Sequence, residues 1–380
     1  MEDRPDDSGG VPARSALPFF LIYLVSAIGF ALAVQGGFYT LVAPLAMTFV
    51  AVPLFDALIG LDTRNPPDAP PGRLARALFR LATWLAVPSQ AALLGWGLWF
   101  ATRRQTTPLE VVGALLAVGI TGGVNGITVA HELVHRSSRL DRVLGGVLLA
   151  LVSYLHWAIE HVAGHHRRVA TPEDPATARL GETLPAFMVR SVCRGFQSAW
   201  QIESARNTRR GVRAVWRNRV LQGVAVSCGL TAAIGLFAGA RAMAFFLGQS
   251  VVAIAFLETV NYIEHYGLRR RLVGPGVYER VTSLHSWNSA HRLTNALLFN
   301  LQRHSDHHVW PARPYHILRH RPESPQLPTG YAGMALLAMV PPLWRRVMHP
   351  RLAAQAATLD PPARGDDRSP PATAPRSPDA

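Results

Sequence analysis

The sequence predicts an all-α integral membrane protein: six transmembrane helices with a cytoplasmic histidine-rich cap. Three observations predict it. The 380 residues are 49% hydrophobic and only 16% charged, and the mean hydropathy is positive at +0.14, a balance that points away from a soluble domain of this size. Apolar runs at about 17–35, 38–60, 78–100, 109–130, 219–238 and 241–262 each approach the ~20 residues a helix needs to cross a bilayer. The basic residues alternate between connections in the way that orients membrane helices.

Residues 1–16 read as a polar, disordered arm. Its acidic start, Glu2-Asp3-Arg4-Pro5-Asp6-Asp7, lacks the basic region of a cleavable signal peptide. The membrane domain is expected over 17–350. Its fourth run is rich in glycine (Gly119, Gly122, Gly123, Gly126), which permits close helix contact. A shorter run at 143–157 lies between His135 and His161, which must meet at one site, so it reads as a membrane-embedded segment that returns to its starting side. Residues 269–328 form the polar cap. Residues 330–343 are apolar but end at Pro341-Pro342, which suggests an interfacial segment. A disordered tail is expected over 351–380, most clearly from about 360, where Pro, Ala, Asp and Arg dominate.

The connection at 61–80 carries Arg64, Arg73, Arg76 and Arg80, and residues 160–219 carry eleven more arginines. The opposite connections carry Arg103, Arg104 and Arg241. Six crossings with both termini inside therefore place every histidine motif on the cytoplasmic side of an inner membrane. The net charge is +14 and all 38 basic residues are arginine. Codon bias in a GC-rich genome explains such a composition, and so does an anionic membrane face or an acidic protein partner. The arginines are spread over connections without interleaved aromatics, so nucleic acid is not an expected partner. Cys193 and Cys228 are the only cysteines, too few for a disulfide framework or a four-cysteine iron site.

The chemistry lies in the histidines. His304, His307 and His308 stand at i, i+3 and i+4, one face of a helix. His131 and His135 form an i, i+4 pair, as do His161 and His165, the latter with His166 beside it. His265 ends the last apolar run. Nine histidines in four short motifs exceed what one tetrahedral zinc needs and suit two metals with about four or five ligands each. A neutral, all-imidazole set doing redox work favours iron, since zinc is inert to O2. Glu132, Glu160, Glu264 and Asp306, interleaved with these histidines, suit partners that fix ring orientation through the other imidazole nitrogen. His156, His285 and His291 read as supporting residues. His131-Glu-Leu-Val-His135 alone also fits a zinc hydrolase with Glu132 as base, but a protease has no use for the other seven histidines.

With these residues the sequence resembles the membrane alkane 1-monooxygenases, in the wider class of integral-membrane histidine-rich hydroxylases and desaturases. The resemblance rests on Glu160-His-Val-Ala-Gly-His-His166 with Arg168-Val-Ala-Thr-Pro-Glu-Asp-Pro-Ala-Thr177, on Asn261-Tyr-Ile-Glu-His-Tyr-Gly-Leu268 and on Leu301-Gln-Arg-His-Ser-Asp-His-His308. It runs from about residue 17 to 350. It implies a six-helix fold and a non-haem di-iron site (two Fe ions) held by His131, His135, His161, His165, His166, His265, His304, His307 and His308. It also implies O2-dependent terminal hydroxylation of n-alkanes to 1-alkanols, with electrons from rubredoxin and rubredoxin reductase. Medium-chain alkanes are the expected substrates, with Phe49, Val52 and Phe55 as channel-wall positions. Arg136 stands where the family usually has Lys, and Val134 where Gly is common. The alternatives are a xylene-type or other membrane hydroxylase or desaturase, and, from another class, an intramembrane zinc metalloprotease.

Overall fold

The computed structural model describes residues 11–359, and expectations for 1–10 and 360–380 lie outside the described residues. Most of the described residues are helical, and beside the connecting loops there is a two-stranded antiparallel ribbon, Leu272–Gly274 with Val277–Tyr278. Residues 11–16 join the fold rather than forming a loose arm: Val11 bridges Pro71, and Ala16 is buried at the start of the first helix. The helix Pro341–Leu359 likewise runs past residue 350, where the tail was expected to begin.

Among the described residues, five helices are long and apolar enough to cross a membrane: Ala13–Ala33, Phe38–Ile59, Arg73–Thr102, Pro108–Val134 and Arg219–His265. The first two meet at a turn where Gly36 and Gly37 both have positive φ. The Gly37 N–H donates to Glu110 at 2.7 Å, and Glu110 also completes the capping box with Thr107 that starts the fourth span. One carboxylate thereby pins two spans together. Close packing follows from the glycines of the fourth span. A Cβ on Gly113 would lie 2.6 Å from the Thr40 backbone, and on Gly123 2.7 Å from Phe256, so larger residues would force these helices apart.

The fifth helix, at 47 residues, would be about 70 Å long if straight, more than twice the ~30 Å hydrocarbon core. It is broken at Gly239 (φ 87°, ψ 172°), a backbone state open chiefly to glycine. The chain turns back there: a Cβ on Gly235 would lie 3.1 Å from the Met243 sulfur, although eight residues of straight helix would separate these positions by about 12 Å. The two halves match the apolar runs at 219–238 and 241–262.

Two short segments complete the frame. Arg139–Ala150 folds back on the end of the fourth span, where a Cβ on Gly145 would touch Leu133 at 3.1 Å. The chain then turns at 151–156 and returns to the histidines. Tyr331–Ala338 packs Tyr331, Met334 and Ala335 into the same buried cluster as Tyr262 and Tyr266. That face is buried by protein, so only Leu336, Met339, Val340 and Leu343 remain available to an interface.

Candidate metal centre

The histidines meet where the fourth and fifth spans end. Thr128–Val134 carries His131 and delivers His135 at its C-cap; the last span ends at His265; the short helix His304–Val309 lies across them. All nine predicted residues converge, in two abutting groups: His131, His135, His161, His166 and His307, and His165, His265, His304 and His308. Each group offers ligand atoms within 4.8 Å of one another. The groups are not the sequence motifs. His161 joins His166 rather than His165 because His161–His165 is a π-helix, whose i→i+5 geometry brings residues five apart onto one face. On the α-helix His304–Val309, His304 and His308 stay together while His307 turns to the other group.

The ring nitrogens point inward. Nε2–Nε2 separations are 3.0 Å for His135–His161, 3.1 Å for His161–His166 and 3.1 Å for His166–His307. They are 3.1 Å for His265–His304, 2.9 Å for His304–His308 and 3.2 Å for His165–His308. Two imidazoles at right angles on one ion, each ~2.1 Å away, stand ~3.0 Å apart. Burial holds His161, His166, His304, His307 and His308 well below the usual imidazole range, reinforced by neighbouring imidazoles, and His135 is lowered to about 4. Burial thus favours the neutral, lone-pair-donating form of these six rings. His131 Nε2 is buried with no hydrogen-bond partner, its ring 4.4 Å from that of His307. An orphaned buried nitrogen amid convergent lone pairs fits a metal ion and leaves no comparable bonding without one.

The four carboxylates do not behave as the sequence suggested. Glu132 pairs with Arg136 and accepts the Tyr315 N–H; Glu160 pairs with Arg168 and accepts from Ser198. Asp306 holds Arg313 and Arg321. None of these three orients an imidazole, because each buried carboxylate is taken up by a half-buried arginine that supplies its counter-charge. Only Glu264 touches a histidine, its Oε2 lying 3.1 Å from His304 Nε2 while Oε1 accepts from Tyr331 at 2.8 Å. It approaches the ligating nitrogen, so it faces the metal position itself. The carboxylate that does fix a ring is Asp174, 2.9 Å from His165 Nδ1 and also held by Thr177 at 2.6 Å. Burial drives the His165 pKa down, but the Asp174 charge and hydrogen bond outweigh it and the net shift is upward. The motif Arg168–Thr177 contained this residue; its distance from any histidine in sequence concealed its role. His156, His285 and His291 lie outside both groups. His285 supports the site through its backbone oxygen, 3.4 Å from His265 Nδ1.

Two cavities adjoin this centre. A small chamber is lined by His131, His161, His304, Glu264, Trp157 and Asn261, among others. An apolar cavity of about 120 Å³ lies beside it between the spans, lined by Val25, Phe30, Val52, Trp96 and Phe256, among others. Gly123, Thr128 and Val260 line both. Of the three expected wall residues, Val52 is there; Phe49 packs behind, on Phe256, and Phe55 faces outward at 52% exposure.

Residues 106–338, which contain all nine histidines, match the family model described as fatty acid desaturase. Alkane 1-monooxygenase 2 of Pseudomonas aeruginosa is 44% identical over 317 residues, 82% of this chain and 84% of the relative. The alkane 1-monooxygenase of Pseudomonas putida is 40% identical over 340 residues, 89% of this chain and 82% of the relative. The chain belongs to the fatty acid desaturase family, among its alkane 1-monooxygenases. It is an oxidoreductase of the membrane. The xylene/toluene monooxygenase hydroxylase component of Pseudomonas putida is also similar, at 27% identity over 333 residues, covering 86% of each chain. The wide gap in identity separates this chain from the xylene-type alternative, and the family itself sets aside the metalloprotease.

Proposed function

We propose that the chain hydroxylates the terminal methyl group of medium-chain n-alkanes with O2, at two iron ions held by the five- and four-histidine groups. The single observation that carries this reading is the apolar cavity that adjoins the histidine chamber and shares Gly123, Thr128 and Val260 with it. The iron supplies O2 binding and oxidation; the protein holds the metal, excludes water and aims the substrate. A linear alkane has no polar handle, so the cavity wall alone sets its position. From Thr128 beside the histidines to Ala117, both on the cavity wall, the fourth span rises about 16 Å. Trp96, edge-on to Phe30 at 4.8 Å and stacked on Phe100 at 5.0 Å, lies near the Ala117 end, since a Cβ on the adjacent Gly97 would meet Val118 at 3.0 Å. An extended chain lying along this length presents its end carbon to the histidines. Each added CH2 contributes roughly 0.8 kcal/mol of burial until Trp96 is reached.

Gas chromatography of products from octane to hexadecane tests this. The expected products are 1-alkanols with a length cut-off, and Trp96→Ala moves the cut-off to longer chains. Mainly 2- and 3-alcohols would refute end-on binding, and products only from aromatic methyl groups would favour the xylene-type activity. The two cysteines of these 380 residues are too few for a four-cysteine iron site, and rubredoxin with its reductase is the proposed electron carrier. Turnover with NADH and reductase alone would count against it.

We also infer six crossings of the inner membrane, with both termini and the histidines cytoplasmic. The broken fifth helix then supplies two crossings joined at Gly239, and the arginine asymmetry sets the orientation. Reporter fusions at Gly72, Arg104, Gly211 and Ala240 should read in, out, in and out. A cytoplasmic signal at Arg104 would overturn the arrangement.

A further inference from the structure

We propose that Glu258 relays the protons consumed in the reaction into the histidine chamber past Asn261. The inference rests on the O2-dependent hydroxylation proposed above, whose balance is RH + O2 + 2 e⁻ + 2 H⁺ → ROH + H2O. Electrons come from the carrier, but two protons must reach a centre whose substrate side is an apolar cavity. Neutral imidazoles committed to metal hold no proton to spare on the nitrogens that face it.

A further cavity, lined in part by polar groups, adjoins the chamber and shares no lining residue with the apolar cavity. Tyr154, His156, Glu160, Ser191, Glu258 and Asn261 line it. Its common wall with the histidine chamber consists of Trp157 and Asn261. The Trp157 ring stacks on His161 at 4.4 Å and closes its part of that wall. Asn261 is therefore the polar passage between the two. Glu258, one turn earlier on the same helix, is 1% exposed. It accepts from Tyr154 Oη at 3.0 Å and from Asn261 Nδ2 at 3.3 Å.

The hydrogen-bond partners of Glu258 are neutral groups. Glu132, Glu160, Glu203 and Asp306 are buried against arginines, whereas no ion pair to Glu258 is found among the described residues. A buried carboxyl without a cation, about 10 Å from the end of a membrane helix, is costly for structure alone and is the usual mark of a proton path. At the outer end of the cavity His156 and Gly195 are half-buried. A proton leaves the Glu258 carboxyl past Asn261 toward the oxygen being reduced to water, and the carboxylate regains one from the His156 side.

The test uses the full chain in lipid nanodiscs, with Glu258→Gln, Glu258→Asp and Tyr154→Phe. Infrared spectra of the metal-free and iron-loaded protein should show a carboxylic-acid C=O band that shifts in D2O and is lost in E258Q. Iron content should be unchanged in E258Q, while turnover falls about a hundredfold, the scale of a positioned proton donor, and the solvent deuterium isotope effect rises. E258D, which keeps the acid, should recover part of the rate, and Y154F should lie between. Wild-type rate and isotope effect in E258Q, or an exchangeable band that survives the substitution, would overturn the relay. A wild type that makes no alcohol overturns the hydroxylase reading instead, and is told apart from a failed relay, in which wild type and E258Q make alcohol equally fast.

Discussion

His307→Ala and His308→Ala are each expected to reduce alkane turnover to background, yet to lose iron to different extents. The residues are neighbours in sequence but serve different groups, His307 the group of five and His308 the group of four. Removing His307 leaves four imidazoles around its ion, still a competent set; removing His308 leaves three. Elemental analysis of purified protein should therefore give about two irons per chain for the wild type, nearer one for H308A, and an intermediate value for H307A. Both variants delete a buried ring, so circular dichroism must show an intact helical fold before the iron counts are compared. Full activity in either variant, or full activity of the wild type with zinc alone, would defeat the two-iron reading.

That partition marks the limit of what the sequence could disclose. The identity of the nine histidines was legible, because spacing within each motif and position at helix ends need only local geometry. Their division was not. An α-helical reading of His161–His166 puts His161 with His165; the π-helix reverses this, and nothing in the local composition specifies a π turn. The spans were legible from hydropathy to within a few residues, except that Arg73–Thr102 starts earlier than the apolar run at 78–100. Its first turns alternate Arg73, Arg76 and Arg80 with buried Ala75 and Phe79, so one face is polar and the hydropathy average hides the helix. The break at Gly239 was read as two runs because Arg241 interrupts the apolar sequence there.

The carboxylates taught the opposite lesson. Adjacency to a histidine selected Glu132, Glu160 and Asp306, but neighbours on a helix point to different faces, and these three turned toward arginine. Asp174 is nine residues from the ring it holds, brought there by the turn at 169–174, where Ala170 has φ 59°. A tertiary contact of that kind leaves no periodic trace. The same holds for the cavity wall, where Phe55 lay on an apolar helix but on its outer face.

Asp174→Ala is expected to weaken iron binding at the four-histidine group by about 10- to 100-fold, the usual effect of removing the carboxylate behind a ligating imidazole. Asp174 is 2% exposed and accepts the hydrogen bond made by His165 Nδ1. Without it that N–H is buried and unpaired, the ring is free to rotate, and the opposite nitrogen becomes a weaker donor. Asp174→Asn keeps an acceptor oxygen but removes the charge, so its loss should be smaller, and the order wild type, D174N, D174A in iron retention against a chelator is the signature. Asp306 provides the contrast. It is fully buried and holds the partly exposed Arg313 and Arg321, so Asp306→Asn removes the counter-charge of two cations and should cost about 1–3 kcal/mol of stability. That loss appears as a lower melting temperature of the metal-free protein, a measurement that D174N should change far less. If D174A retains iron as tightly as the wild type, Asp174 does not orient His165 for metal, and its hydrogen bond serves only the packing of the loop.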